Sequence, residues 1–350
     1  MEIFHNTFAV RRTTAAFVCC AAAVVLFFAL SLFFGTVDIP AADVCDALLG
    51  RSVNEAWSFI VVRSRLVQAM TAMLCGAALA AAGLMLQTCF ANPLADTSIL
   101  GVNAGASLGV ALAFFLLGGG FVGGGFSLAG FSLVLVAAFA GAAAVLTLLT
   151  AFAAVLRSSL MLLIAGIMVS YVASAVISLL SSFATAEGVH SYVFWGMGNF
   201  GGVSLEMLPA FAVVIIVALA AALSMVKPLN AMLLGDDYAA NLGVSVRGMR
   251  LKMLAVTGVL GATVTAFCGP VAFIGLAVPH VARFMAGTAD HRVLMLLTVM
   301  CGAAVALACG FVCNLPAGNV FIPLNAVTSL WGVPVIMYVL FSARGRSRLT

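Results

Sequence analysis

The sequence predicts an all-α protein, a polytopic membrane bundle of about ten transmembrane helices. Two compositional facts and one pattern predict it: the 350 residues are 65% hydrophobic, only 7% are charged, and the apolar residues form unbroken runs. A soluble domain carries roughly a quarter charged residues, so this chain has too few polar groups to cover a water-facing surface. A β-barrel is excluded, because its strands alternate apolar and polar residues over about ten positions.

Apolar runs between polar residues or Gly/Pro breaks define the predicted spans. Their approximate bounds are 13–35, 65–87, 95–117, 126–155, 161–184, 207–226, 247–267, 271–287, 292–313 and 323–342. The first run follows Arg11 and Arg12, as the core of a signal peptide would. At about 20 residues it is too long for such a core, and no small-residue cleavage site is obvious, so we assign it as the first span. The spans leave no room for a sizeable soluble domain.

An even number of spans puts both termini on one side of the membrane, and the positive charges indicate that this side is the cytoplasm. Only Arg51, Arg63 and Arg65 then lie outside, in agreement with the positive-inside rule. The residues inside are Arg11, Arg12, Arg157, Lys227, Arg247, Arg250, Lys252, Arg283, Arg292, Arg344, Arg346 and Arg348. The net charge of +4 indicates no nucleic-acid partner.

Neither the cysteines nor the glycines form a pattern typical of a reactive site. The nine cysteines lie mostly in apolar runs, without a CxxC or a Cys/His cluster, which predicts small buried side chains and no metal site. Gly101, Gly105 and Gly109 make small-xxx-small steps that let helices approach closely. The stretch 118–125, GGGFVGGG, indicates a flexible outside turn. Because no GxxxxGK[ST] pattern occurs, the chain is not expected to hydrolyse ATP.

The longest polar interruption on the predicted cytoplasmic side is 228–250, PLNAMLLGDDYAANLGVSVRGMR. Residues 231–242 fit a short amphipathic helix or helix pair, with Asp236 and Asp237 at a helix start and Gly243 at its end. Such a segment between long spans is either a solvated linker or a docking surface, and the residues by themselves favour neither.

Three stretches together resemble the permease subunits of ABC importers for ferric siderophores, haem and cobalamin. Residues 65–106 carry RLVQAM, a GAALA helix, NPLA and LGVNAGA, and residues 163–202 carry LIAG and FWGMGNFGG. The chain from residue 229 onward carries LGDDYAANLGV, GPVAFIGLAVPHVAR and TADHRVL. The resemblance covers nearly the whole chain, and it favours the docking surface over the solvated linker.

The resemblance implies one transmembrane permease domain, residues 1–350, with a cytoplasmic coupling segment at about 229–246, in a bacterial inner membrane. It implies an ATP-driven importer that works by alternating access, in which this chain is not an enzyme and binds no cofactor. The expected partners are a second permease copy or paralogue, two ATPase subunits that hold ATP and Mg, a soluble substrate-binding protein outside, and membrane lipid.

The resemblance also assigns roles to individual residues. It assigns coupling to the ATPase to Leu234, Gly235, Asp236, Asp237, Ala239, Leu242 and Gly243. It assigns an inner gate to Asn92, Pro93, Leu94, Ser158 and Ser159. It assigns the translocation path, in spans five and ten, to Ser170, Ser174, Ser178, Asn325 and Thr328. It assigns docking of the binding protein to Arg65, and we expect Arg51 and Arg63 to compensate for the family arginines that this chain lacks. Pro93 could equally be a helix stop, and the serines could equally hold helices together.

The sequence departs from the family pattern at positions that bear on docking and on the path. Val67 and Gln68 stand where the family has proline and a second arginine, and Asn314 stands where some relatives have another arginine. We expect docking to survive these changes with an altered salt dependence. Asn325 replaces the usual glycine of span ten, which brings a polar amide close to the expected path.

Two other functions compete with this interpretation. An ion-coupled secondary transporter needs ionisable residues near the bilayer midplane, and the span centres carry no Asp, Glu, Lys or Arg. A non-transporting membrane scaffold is disfavoured by the polar residues in spans five and ten. The sequence leaves the substrate open among an iron siderophore, haem and cobalamin.

Overall fold

The computed structural model describes residues 2–51, 54–98, 100–116, 128–156, 158–315 and 322–346. All regular structure in these ranges is helical, so the all-α prediction is confirmed. The α-helices are α1 Glu2–Phe33, α2 Ala41–Leu48, α3 Glu55–Ser58, α4 Leu66–Cys89, α5 Val102–Leu116, α6 Leu128–Val155, α7 Ser159–Ser181, α8 Ala186–Gly196, α9 Leu208–Ser224, α10 Val226–Met232, α11 Asp236–Asn241, α12 Val246–Cys268, α13 Ile274–Ala286, α14 His291–Cys313 and α15 Leu324–Arg346. The glycine-rich stretch 118–125, Arg157 and Arg348 lie outside the described residues.

Each predicted span coincides with one apolar helix. Within the described ranges, 6 helices are long and apolar enough to cross a membrane, and the bent pair α9–α10 makes up to 7. Three shorter apolar helices, α5, α13 and α15, complete the set that the sequence predicts. The membrane bundle of about ten spans therefore agrees with the structure by length and composition.

The connection from α1 to α4 holds structure that the hydrophobic pattern does not predict. Ile39, Val44, Ala47 and Val61 form a small buried cluster there. The side chain of Asn54 caps α3 by accepting hydrogen bonds from the backbone N–H groups of Ala56 and Trp57. A π-helical turn, Phe59–Arg65, then leads directly into α4. These short elements give the described part of the connection a defined local structure.

The chain divides into two compact units. The first comprises Met1–Ala81, Phe200–Val213 and Ala272–Thr350. Inside it α4 and α14 cross at glycines, since a Cβ atom added to Gly76 would lie 2.0 Å from the carbonyl oxygen of Gly302. Arg12 donates from Nε to the carbonyl oxygen of Met285 over 3.1 Å. This bond supplies a donor to a carbonyl group in the last turn of α13.

The second unit comprises Ala82–Asn199 and Val214–Val271. Its closest helix crossing joins α5 to α6, where a Cβ atom added to Gly109 would lie 2.0 Å from the carbonyl oxygen of Ala137. Gly105 approaches Gly141 in the same way, while Gly101 lies just before α5 and approaches α7. The close helix approach predicted from the glycine spacing is therefore confirmed.

Six of the nine cysteines follow the expectation of buried small side chains, and Cys313 is half-buried. The buried ones are Cys20, Cys75, Cys89, Cys268, Cys301 and Cys309, all with free thiols. Cys19 and Cys45 are exposed. The expectation of burial was wrong for Cys19, because its side chain lies on the outward face of α1.

Candidate functional site

The predicted coupling segment forms two short helices, α10 and α11. Gly235 precedes α11 with a φ of 105°, a backbone conformation that favours glycine. Asp236 and Asp237 occupy the first turn of α11, where carboxylates complement the helix dipole. Gly243 follows with a φ of 81°, and its N–H bonds to the carbonyl of Ala240. The helix start and stop expected from the sequence are therefore confirmed.

This segment presents large apolar side chains to its surroundings. Leu234, Tyr238 and Leu242 are 65%, 50% and 60% exposed. Leu234 lies just before α11, Tyr238 within it and Leu242 at its C-cap, whereas Ala239 is fully buried. Uncovered apolar side chains on an otherwise polar segment mark a surface for another molecule. Tyr238 was missed from the sequence, although its spacing from Leu234 and Leu242 was a usable signal.

Asp236 also ties α11 to the next membrane helix. Its Oδ2 forms an ion pair with Nη2 of Arg250, which lies in α12. The Arg250 side chain is only 14% exposed, so its charge is largely withdrawn from water. Sequence analysis had placed Arg250 only among the residues on the cytoplasmic side.

The predicted inner gate begins where α4 ends. Ala91 adopts a left-handed conformation with a φ of 44°, and the N–H of Asn92 bonds back to the carbonyl of Gln87. This arrangement is a Schellman-type helix end, so α4 stops before Pro93 rather than at it. The side chain of Asn92 then accepts a hydrogen bond from the N–H of Leu94 at 2.9 Å. The loop 92–94 that is predicted to form the gate is thus a small, internally bonded turn.

A buried carboxylate that the sequence analysis did not single out lies directly after this turn. Asp96 is 3% exposed and accepts hydrogen bonds from the Thr97 N–H at 2.7 Å and the Ser98 hydroxyl at 2.9 Å. The other gate residues, Ser158 and Ser159, lie at the N-cap and the first position of α7.

The path residues of α7 and α15 differ in their surroundings. Ser174 and Ser178 are exposed, whereas Ser170 donates to the carbonyl of Gly166 at 3.0 Å. On α15, Thr328 is fully buried and donates to the carbonyl of Asn325 at 3.4 Å. In this conformation Ser174 and Ser178 are therefore the accessible members of the predicted set.

The amide of Asn325 supports the backbone before α13. Its Oδ1 accepts a hydrogen bond from the N–H of Ala272 at 3.1 Å. The next residue, Phe273, has a φ of 68°, an uncommon conformation for a bulky residue. Asn325 therefore fixes an irregular turn, a role that its position in the family pattern did not indicate.

The three outer arginines also differ sharply. Arg65 is 7% exposed, and its guanidinium donates to the carbonyls of Leu32 at 2.9 Å, Phe33 at 3.1 Å and Val37. These bonds clamp the end of α1 to the start of α4 and leave no accessible charge for a docking partner. Arg51 is exposed. Docking by Arg65 thus has no support in this conformation, because its donors are committed to backbone carbonyls.

Arg63 presents an exposed ion pair instead of a lone charge. Its Nη1 lies 3.1 Å from Oε1 of Glu206, and both side chains are more than half exposed. The guanidinium also lies 5.9 Å from the centre of the Phe59 ring. A hydrogen bond from its own backbone N–H, with the nearby Arg63 charge, holds the pKa of Glu206 below its usual range. Glu206 is a further residue that the sequence analysis missed.

Residues 23–342 match the FecCD transport family. The chain belongs to that family. Among its relatives, the vitamin B12 import system permease protein BtuC of Klebsiella pneumoniae is 34% identical over 297 residues, 85% of this chain and 87% of that protein. The BtuC protein of Shigella boydii is 32% identical over 300 residues, 85% of this chain and 88% of that protein.

A solved structure of similar fold supports the same assignment. It is an inward-facing conformation of a protein assigned to the metal-chelate type of ABC transporter, with a TM-score of 0.81 and 28% identity. The match covers 94% of this chain and 99% of that one. This FecCD chain is accordingly a membrane permease of an ABC importer, and ATP hydrolysis belongs to a separate subunit.

Proposed function

We propose that this FecCD permease imports a corrinoid such as cobalamin by alternating access, powered by two ATPase subunits that bind α11. The observation that carries the coupling role is the exposed apolar face of Leu234, Tyr238 and Leu242. The corrinoid is favoured by the relatives named as vitamin B12 import permeases, at 34% and 32% identity. A ferric siderophore or haem is the second candidate, favoured by the structural neighbour of metal-chelate type.

The coupling face has the properties of a small interface centre. Two leucines and a tyrosine are exposed within and at the ends of one short helix, and Tyr is enriched among residues that dominate binding energy. Asp237, the other carboxylate of the first turn, is exposed next to Tyr238. An ATPase surface with an apolar pocket and a basic rim would complement it. ATP and Mg are held by that partner, and this chain contributes no cofactor site to the proposal.

The partner within the membrane is a second permease, either an identical copy or a paralogue. Helix α7 supports this part of the proposal, because only 22% of the residues in its apolar membrane-length stretch are buried by the rest of this chain. Its exposed residues include Met168, Tyr171 and Val172, and also the serines Ser174 and Ser178. A helix that carries exposed serines among apolar residues suits a wet path better than a lipid face.

The soluble binding protein is proposed to dock at the exposed arginines Arg51 and Arg63. Both lie on the side that the charge distribution predicts to be outside, with both termini in the cytoplasm of a bacterium. Because Arg63 is paired with Glu206, the complementary surface needs an acidic group that competes with Glu206 for the guanidinium. Such rim charges chiefly set the association rate and register.

The decisive experiment is reconstitution of the permease with its ATPase and binding protein in liposomes. We expect vanadate-sensitive ATP hydrolysis that the binding protein stimulates, together with uptake of radiolabelled cyanocobalamin. Parallel assays with ferrichrome and haemin separate the substrate candidates. Uptake by the permease without any ATPase, driven by a proton gradient, would contradict the proposal and favour an ion-coupled transporter. Uptake of ferrichrome or haemin but not cyanocobalamin would leave the importer standing and overturn the corrinoid.

A further inference from the structure

The ion pair between Asp236 and Arg250 connects two elements with different roles. Asp236 is the first residue of α11, which carries the proposed ATPase-binding face, and Arg250 lies in the first turns of the membrane helix α12. The Arg250 side chain is 14% exposed against 51% for Asp236. The pair is therefore anchored on the α12 side and reaches out to the coupling helix.

Helix α12 also reaches the chain that follows the gate loop 92–94. A Cβ atom added to Gly261 of α12 would lie 3.2 Å from the Thr97 side chain, three residues after Leu94. The coupling helix is therefore bonded to the start of α12, and α12 in turn packs beside the segment after the gate loop, all within the second compact unit.

The coupling helix needs such an anchor. It has six residues, and isolated helices shorter than about 12 residues are marginal in water, so its position depends on tertiary contacts. It packs against α10 and α12, and the charged pair bonds it to α12. Apolar packing contacts can slide, whereas a charge-assisted hydrogen bond has a defined direction.

We propose that Arg250 is a positioning residue through which movement of α11 reaches α12 and the gate loop, so that the Asp236–Arg250 pair sets how much substrate moves per ATP. This inference rests on the proposed binding of an ATPase to α11. It makes the pair part of the coupling between ATP hydrolysis and transport, in addition to its contribution to folding. Coupling between two sites requires an element that both sites bias, and the pair is a direct polar link between α11 and α12.

The test uses the reconstituted permease–ATPase complex with its binding protein, and measures uptake and ATP hydrolysis in the same liposomes. In Arg250→Gln we expect normal co-purification of the ATPase but a ratio of uptake to ATP hydrolysed that falls about fivefold or more. Asp236→Asn removes the other charge at a half-exposed position with little change of size, so it provides a second variant should Arg250→Gln fail to fold. The ratio should fall in the same way.

Lys252→Gln is the matched control, because it removes one positive charge from an exposed position of the same helix, two residues away. Its ratio should equal that of the unaltered complex. The reversed pair Asp236→Arg with Arg250→Asp should recover part of the ratio that either single change loses. A purely structural pair would lower uptake and ATP hydrolysis in proportion, with an unchanged ratio, and that result would overturn the inference. Failure of the unaltered permease to bind an ATPase would instead overturn the proposed function.

Discussion

The side-chain amide of Asn314 donates a hydrogen bond to Oε1 of Gln68 at 3.1 Å. Gln68 in turn donates from Nε2 to the hydroxyl of Ser64 at 3.1 Å. These are two positions at which the family pattern led us to expect arginine. The two neutral replacements satisfy each other, and the chain presents an amide pair where two like charges would otherwise stand close together. The two amides at these positions are thus direct hydrogen-bond partners.

This pairing predicts non-additive effects of mutation. Gln68→Ala and Asn314→Ala should each destabilise the protein by about 1 kcal/mol, because each leaves a partly buried amide without its partner. The double variant should be destabilised only slightly more than the less stable of the two single variants. Thermal unfolding in detergent measures the three effects. Fully additive losses would show that the two amides act independently.

Replacement of Asn325 should loosen the turn before α13. In Asn325→Ala the Ala272 N–H loses its acceptor. The free energy of unfolding should therefore fall by about 1–3 kcal/mol. Hydrogen exchange in residues 270–274 should become faster, while exchange in α12 stays unchanged. Asn325→Asp is the control, since it keeps an oxygen at the accepting position. Equal exchange rates in Asn325→Ala and the unaltered chain would contradict this role.

The Arg63–Glu206 pair should moderate docking of the binding protein. Glu206→Gln leaves the Arg63 charge uncompensated, so association with an acidic binding-protein surface should become faster and more sensitive to salt. Rapid-mixing kinetics at low and high salt measure this effect. Arg63→Gln should slow association. Slower association in Glu206→Gln would indicate that the partner surface at this point is basic.

The same pair predicts a pH dependence with a defined sign. Because the pKa of Glu206 is held below its usual range in the folded protein, the pair is present at neutral pH and above. It is lost as the pH falls through that lowered pKa. Association rates of the unaltered permease should then approach those of Glu206→Gln, whose own rates should not show this transition.

Truncation of the coupling face should weaken binding of the ATPase. Leu234→Ala and Tyr238→Ala are each expected to lose about 1–3 kcal/mol of binding free energy, since both side chains become covered in the complex. Leu49→Ala is a matched control, because Leu49 has the same 65% exposure as Leu234 but lies just after α2. Affinity of purified permease for the ATPase measures the loss. An effect of Leu49→Ala as large as that of Leu234→Ala would argue against a specific face.

The glycine crossing of α4 and α14 should tolerate no side chain. Gly76→Ala places a methyl group against the backbone of Gly302. The free energy of unfolding should therefore fall by about 1–3 kcal/mol or more. Gly196→Ala is the control, because a Cβ atom there meets nothing within 4 Å. The thermal unfolding temperature of Gly196→Ala should be unchanged or slightly higher than that of the unaltered chain. A tolerated Gly76→Ala would mean that the two helices can separate easily.

Much of this protein follows from local chemistry in the sequence. Apolar runs of membrane length predicted the ten apolar helices, since an apolar run of that length is stable only where its backbone bonds internally. The limits of α11 were predicted because carboxylates favour a helix start and glycine a left-handed end. The short helices α2, α3 and α8 were missed, because a search for long apolar runs does not detect elements of 8, 4 and 11 residues.

Only the tertiary structure separated Arg63 from Arg65. The sequence gives both the same charge, two residues apart, yet one is exposed and ion-paired and the other is buried against three carbonyls. Tertiary structure likewise decided that Asn314 forms a hydrogen bond with Gln68, 246 residues earlier in the sequence, and that Arg250 forms an ion pair with Asp236. The spans are apolar almost all round, so their pattern marks no face that would specify the neighbouring helix. Side-chain partners between distant segments depend on that packing, which is why composition determined the membrane bundle and folding decided which polar groups meet.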